Sequence, residues 1–289
     1  MHTKGGRDMK KAPIIALMYD FDRTLSPREM QEYAFIPGLG MDADEFWAEC
    51  TKTAEKYSMD PILAYMYNMI EKSEGKQIVT HDSLRALGNG VGLYDGVSTW
   101  FGRVNDYARR RGLAPEHYII SSGIKEIIEG TPIAGEFKEI YAASFCYNEK
   151  GVPFWPAVAV NYTSKTQFLY RINKGVLDTA ENRGVNEYMP EEMRRVPFRN
   201  MIYIGDGMTD IPSMKLTKAN GGHSIAVYTD DRSEADRMLL DGRIDFAVKA
   251  DYSEGSEMET TIFEVIDQIA ATSAALERHR VHFERAKKD

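Results

Sequence analysis

No stretch of this sequence stays apolar for the ~20 residues that crossing a bilayer takes, so no membrane-spanning segment is expected. Cysteine is scarce. Cys50 and Cys146 lie far apart and have no His or Cys neighbours at ligand spacing, which excludes a disulfide framework and a cysteine zinc site. Both read as small buried hydrophobes. Basic clusters are missing as well: 36 Lys and Arg stand against 44 Asp and Glu, for a net charge of -8. That balance argues against nucleic acid or an anionic membrane as partner and leaves room only for a local basic pocket that takes a small anion. No internal repeat or low-complexity tract is present. The basic start "MHTKGGRDMKK" precedes an apolar run, Ile14 to Tyr19, that is too short for a signal-peptide core and is broken by acids. The expected compartment is a reducing cytoplasm.

What the chain does have is enough apolar content, 43% of 289 residues, to bury one large or two modest domains. Short apolar, β-rich runs alternate with helical patterns: "PIIALMYD", "HYIISSG", "NMIYIGDG", "HSIAVY" and "RIDFAVKA". This alternation predicts an α/β fold, a three-layer Rossmann-like parallel sheet with helices on both faces. Residues 27–93 differ, being rich in Tyr and Met and without strand patterns. Asp42 reads as an N-cap with Glu45 three residues on, Pro61 opens a second helix that stops near Gly75, and "THDSLRALGNG" is a third. The expected division is a discontinuous core over 12–26 and 94–289, with 27–93 inserted as a helical cap. Its aromatic and methionine content reads mainly as helix packing, with a dimer surface or a substrate lining as alternatives. "EIYAASFCYNEKGVPFWPAVAVNY" reads as a hairpin or flap around "NEKG". The chain closes on an amphipathic helix whose last turns are charged.

Chemistry-bearing residues fall at predicted strand ends or adjoining loops, where ligands sit in open α/β sheets. They are Asp20 and Asp22 in "DFDRT", Ser121 in "IISSG", Lys165 in "YTSKTQ", and Asp206 and Asp210 in "GDGMTD". Each motif alone also reads as a turn, a cap or a surface residue. Together they permit a definite chemistry. On an extended strand, side chains at i and i+2 point the same way, so Asp20 and Asp22 can enter one crevice. A carboxylate nucleophile is a recognised route to an aspartyl-phosphate, and a second carboxyl can manage protons. Asp206 and Asp210, with Asp20, are hard oxygen ligands suited to Mg²⁺. Lys165 offers a compact positive charge beside nucleophile and phosphate. The Ser121 hydroxyl can donate to a phosphoryl oxygen, helped by the backbone N–H groups of Ser122 and Gly123 as a helix begins.

In order and spacing these motifs resemble the haloacid dehalogenase-like (HAD) hydrolase superfamily, in its phosphoserine phosphatase-like branch with a small helical cap after the first motif. The resemblance spans roughly residues 13 to 250. It implies that Asp20 is the nucleophile and Asp22 the general acid/base, that the Asp22 backbone carbonyl joins Asp20, Asp206 and Asp210 around Mg²⁺, and that Asp210 stands partly behind the direct ligands. The acid at position 22 goes with phosphatases and phosphomutases rather than dehalogenases. Two departures are visible: Arg23 stands where many members carry Gly, and the long segment after Lys165 leaves Lys174 as an alternative lysine. The expected activity is Mg²⁺-dependent hydrolysis of a small phosphomonoester. A phosphomutase or phosphotransferase using the same residues, or a non-catalytic phosphate binder, remains open. The expected partner is a small phosphorylated metabolite. Substrate choice is expected from the start of the cap, with Arg28, Glu29, Glu32, Tyr33 and Phe35 as candidates.

Overall fold

The computed structural model describes residues 12–287, so the basic N-terminal stretch and the last two residues of the expected core segment lie outside the described residues. Strand β1, Ile14–Tyr19, is buried on both faces, as a near-continuous apolar run in a parallel sheet should be. Ile15, Leu17 and Tyr19 enter one hydrophobic cluster, and Ala16 and Met18 enter the other. Between residues 30 and 93 the chain forms a 3-10 turn over Met30–Glu32 and then four helices: α1 Phe35–Gly38, α2 Ala43–Tyr57, α3 Pro61–Ser73 and α4 His81–Leu87. The predicted starts hold for physical reasons. The Asp42 carboxylate accepts the Glu45 N–H, and Pro61 occupies the first turn of α3, where its missing donor is not needed.

The sheet resumes with α5, Val97–Arg110, then β2, Ala114–Ile124, the short α6, Lys125–Glu129, and β3, Phe137–Tyr147. Strand β4, Pro153–Val158, returns antiparallel on β3 across "NEKG", making the predicted hairpin the sheet's edge. Helices α7, Lys165–Lys174, and α8, Arg183–Asn186, lead to β5, Met201–Gly205. Then follow α9, Ile211–Ala219, β6, His223–Tyr228, α10, Ser233–Leu240, and β7, Phe246–Lys249. The closing α11, Glu257–Ala286, is buried over its first turns and exposed over its charged end.

Strand order is β4-β3-β2-β1-β5-β6-β7. The chain builds outward from β1 on one side and then restarts on the other, so β1 sits at the switch point where a crevice opens. Helices α5, α6 and α11 cover one face of the sheet, and α7, α9 and α10 cover the other. Register aligns Tyr19 with Ile119 on one side and with Ile204 on the other. One further residue along each strand brings Asp20 beside the end of β5. Cys146 is half-exposed rather than buried, because it lies where β3 leaves the core to pair with edge strand β4.

A chain of hydrogen bonds runs beneath β1. Trp100 Nε1 donates to the Tyr19 hydroxyl at 3.0 Å, Tyr19 lies 3.1 Å from His117 Nδ1, and His117 Nε2 lies 3.1 Å from Asn105 Oδ1. These partners suit a neutral imidazole with its proton on Nε2. Burial, with the positive charge of Arg109, pulls His117 from 6.5 to about 3. Because the unfolded chain then binds the extra proton, stability falls as pH drops below 6.5. From pH 7 to pH 5 this one group is expected to cost about 2 kcal/mol. Urea unfolding at both pH values should show that much more loss in the parent than in a His117→Phe variant; equal losses would rule the assignment out.

Candidate active site

Asp20 follows β1 directly, and its N–H donates to Ile204 O at 2.9 Å, which fixes it at the end of β5. The chain then turns. The N–H groups of Leu25 and Ser26 both fall on Phe21 O, at 2.8 and 3.1 Å, so the two acids stand on a tight loop and not on extended strand as the spacing predicted. The turn also requires a left-handed backbone at Arg23, φ 56°, a conformation that costs a non-glycine residue roughly 1 kcal/mol or more. Asp22 is aimed by a different contact: its Oδ1 accepts the Met30 N–H at 2.8 Å, tying the loop to the first turn of the helical segment. Gly123 lies so close to Asp22 and Met30 that a Cβ there would collide with both.

Lys165 opens α7 and is fully buried, with Nζ 2.9 Å from Asp20 Oδ2 and 2.7 Å from Asp210 Oδ1. Burial alone would lower its pKa, and the fields of Asp20 and Asp210 overcome this and hold it above the ordinary lysine value. Lys174, the alternative lysine, is elsewhere: it donates to the carbonyls of Val185 and Glu187 and pins the loop around α8. Asp20 Oδ1 accepts the Phe21 N–H at 2.7 Å, and Asp210 Oδ1 also accepts the Tyr203 hydroxyl at 2.7 Å. Asp206 completes the group. Oxygens of Asp20, Asp206 and Asp210 lie within 4.8 Å of one another, and Asp210 Oδ2 is buried without a partner among the described residues. A Cβ at Gly205 would strike that carboxylate, which is why the strand ends in glycine. Converging hard oxygens with an unsatisfied lone pair fit a divalent cation such as Mg²⁺. The Asp22 carboxyl stands outside this cluster.

Burial, then the negative charges around them, push both Asp206 and Asp22 well above the usual carboxylate range, and Asp210 up to about 6. For Asp22 the charges are those of Glu29 and Asp20. Glu29 is raised as well, by burial first, and it exchanges a hydrogen bond with Asp22 while pairing with Arg23 at 3.2 Å.

Ser121 is buried at the end of β2, and its Oγ accepts the Gly123 N–H at 3.1 Å, leaving its own proton free to donate. The expected helix begins just past these residues: β2 runs on to Ile124, which caps α6 at Lys125, so Ser122 and Gly123 precede the helix, and the Gly123 N–H is already engaged by Ser121 Oγ. The structure brings Asp20, Lys165, Asp206 and Asp210 into one cluster beside Asp22, with Ser121, Ser122 and Gly123 on the neighbouring strand. Of the cap candidates, Glu29 lines the cleft beside Asp22, and Arg28 and Glu32 line a second cavity beside Asp206. Phe35 packs in the core, Tyr33 bonds Ser26 and stacks under Arg28, and Glu32 also accepts Trp47 Nε1. Motif reading missed Tyr203 and Gln31; Tyr203 was visible only through strand alternation, two residues before Gly205.

No protein-family model matches the chain. An uncharacterized protein of Borreliella burgdorferi is 26% identical over 282 residues, covering 88% of this chain and 96% of its own length. Among solved structures, a HAD-family hydrolase from Salmonella enterica serovar Typhi superposes with a TM-score of 0.53 at 16% identity, over 82% of this chain and 68% of that one. A substrate-bound phosphoserine phosphatase gives 0.53 at 13%, over 82% of this chain and 94% of that one. A probable phosphoserine phosphatase from Vibrio cholerae gives 0.55 at 12%, over 92% and 69%. At these identities the likeness establishes the fold: the chain has the HAD-like fold in its phosphoserine phosphatase-like form.

Proposed function

We propose that the protein is a Mg²⁺-dependent phosphatase that hydrolyses a small phosphomonoester through an aspartyl-phosphate on Asp20. The observation that carries this reading is the bridge from Lys165 to Asp20 and Asp210, closed into an oxygen cluster by Asp206 next to Asp22, whose carboxyl burial pushes well above the usual carboxylate range. Those are a held nucleophile, a metal-ligand set and an acid in one crevice.

In the first step the Asp20 carboxylate attacks phosphorus, the bond to the leaving alcohol breaks, and Asp22 gives its proton to that oxygen. Asp22 then takes a proton from water as the water attacks phosphorus, freeing phosphate and restoring the Asp20 carboxylate. Lys165 and the Ser121 hydroxyl hold charge that builds on the phosphoryl oxygens. Mg²⁺, held by Asp20, Asp206 and Asp210, would neutralise repulsion between the anionic nucleophile and the phosphate. Residues 27–93 act as the cap that excludes water and surrounds the leaving group.

Phosphate release from p-nitrophenyl phosphate is expected to vanish in EDTA and to return with Mg²⁺ but not with Ca²⁺, whose larger, looser coordination misplaces the reacting oxygens. Full activity in EDTA would refute the metal site. A screen across sugar, amino-acid and nucleotide monophosphates then identifies the ester.

A further inference from the structure

Alternation along β5 sends Ile202 and Ile204 into one hydrophobic cluster and Met201 and Tyr203 into the other, on the sheet face that α7 and α9 cover. Lys165 opens α7 and Asp210 immediately precedes α9. The three side chains meet there. Tyr203 and Asp210 have no exposed surface, and the phenol hydroxyl donates to Asp210 Oδ1 at 2.7 Å. Lys165 Nζ reaches the same oxygen at 2.7 Å. Two donors from different elements thus fall on one carboxylate oxygen. The other, Oδ2, has no partner among the described residues and is the oxygen of Asp210 left over in the acidic cluster.

The two donors are not equivalent. An ammonium is a point charge with three donors on a flexible four-carbon stem, and this one also serves Asp20 at 2.9 Å, so it can follow either carboxylate. A phenol turns about two side-chain torsions only, and packing holds the Tyr203 ring in the core, so its hydroxyl is a fixed point. The terminal torsion of an aspartate is broad, and a fixed donor removes that freedom. Both groups lie out of solvent, so bulk water supplies no substitute.

Rigidity of this kind matters more to Mg²⁺ than to Ca²⁺. Mg²⁺ demands near-ideal octahedral geometry at short distances, whereas Ca²⁺ accepts more oxygens in flexible arrangements. Groups that stand behind a metal ligand set its orientation, and losing one typically costs roughly 10- to 100-fold in metal affinity.

We propose that Tyr203 is a positioning residue that fixes the Asp210 carboxylate and thereby biases the cluster of Asp20, Asp206 and Asp210 toward Mg²⁺ over Ca²⁺. This rests on the metal site of the phosphatase reading above.

The test reads metal binding at equilibrium, without turnover. Thermal unfolding of the full chain, stripped with EDTA, dialysed and titrated separately with Mg²⁺ and Ca²⁺, gives each dissociation constant from the concentration dependence of the melting temperature. Tyr203→Phe should weaken Mg²⁺ binding about tenfold and Ca²⁺ binding roughly threefold or less, so the ratio of the two constants shifts toward Ca²⁺. Tyr141→Phe is the control: it removes a buried hydroxyl of the same hydrophobic cluster, one that donates to Leu177 O at 3.0 Å, and should leave that ratio at the parent's value. If Tyr203→Phe does not fold, Tyr203→Met, which also lacks the donor, reads the same ratio. Equal weakening of both metals in the folded variant, or no weakening, would show that the hydroxyl only stabilises the core and overturns the proposal. A parent without any Mg²⁺-dependent shift would overturn the metal site and the proposal with it. Metal constants as expected, but no phosphate release from p-nitrophenyl phosphate, would remove the phosphatase reading and leave the role of Tyr203 supported.

Discussion

Asp20→Asn is expected to lower kcat for phosphate release by on the order of 10⁴-fold or more, at least ~5 kcal/mol of transition-state stabilisation, while the protein stays folded. The substitution is nearly isosteric, and its carbonyl can still accept the Phe21 N–H that aims Asp20 Oδ1 at 2.7 Å. It removes the anion proposed to attack phosphorus and replaces one carboxylate oxygen with an amide nitrogen that cannot ligate Mg²⁺. Where Oδ2 now accepts Lys165 at 2.9 Å, the variant turns an N–H₂ toward the ammonium, and Lys165 keeps Asp210 as its remaining partner. Steady-state kinetics on p-nitrophenyl phosphate with parallel thermal unfolding checks both halves. Activity within tenfold of the parent would remove Asp20 from the nucleophile's position.

Lys165→Met should damage both activity and fold. Lys165 has no exposed surface and lies between two carboxylates, so its loss leaves Asp20, Asp206 and Asp210 facing one another without a cation. Breaking a buried pair by removing one partner typically costs about 3 to 5 kcal/mol. The cost should depend on pH, and its sign follows from linkage. Asp210 already stands raised to about 6 with the lysine present, and without it the folded-state carboxylates rise further above their unfolded values. The folded state then holds protons that the unfolded chain releases, so the variant loses stability as pH rises through the folded pKa and recovers some as pH falls. Denaturant unfolding without Mg²⁺ should place the largest gap from the parent near pH 8 and a smaller one near pH 5. A gap that widens toward acid would show that Lys165 does not neutralise these carboxylates.

Much of this was legible in the sequence because the relevant rules are local. The run Ile14–Tyr19 is apolar on both faces and ends in acid, a pattern that fits a central parallel strand opening on a site. Asp42 and Pro61 mark helix starts through bonds made or forgone within a few residues. Other features depended on distant chain. The choice of Lys165 over Lys174 follows from the placement of α7 beneath β1, with an ammonium 2.9 Å from a residue 145 positions away in sequence. The helix expected after "IISSG" starts only at Lys125, because β2 bulges between Ile120 and Ile124 and pairs with β3 again at Ile124, opposite Ala143. Arg23 kept a left-handed backbone because Leu25 and Ser26 both close onto Phe21 O, a turn that the pattern "DFDRT" permits but does not demand.

By itself the sequence determined the α/β class, the order of the acids along the chain and the chemistry open to them, since periodicity, capping and donor type are properties of neighbouring residues. Only the tertiary structure decided which charges meet, which polar atoms are left without partners, and which residues face the cleft. Glu29, Gln31 and Ser122 are unremarkable in sequence; packing of the 3-10 turn and α3 against the end of β2 is what places Glu29 at the cleft and leaves the Gln31 amide oxygen and the Ser122 hydroxyl without partners among the described residues.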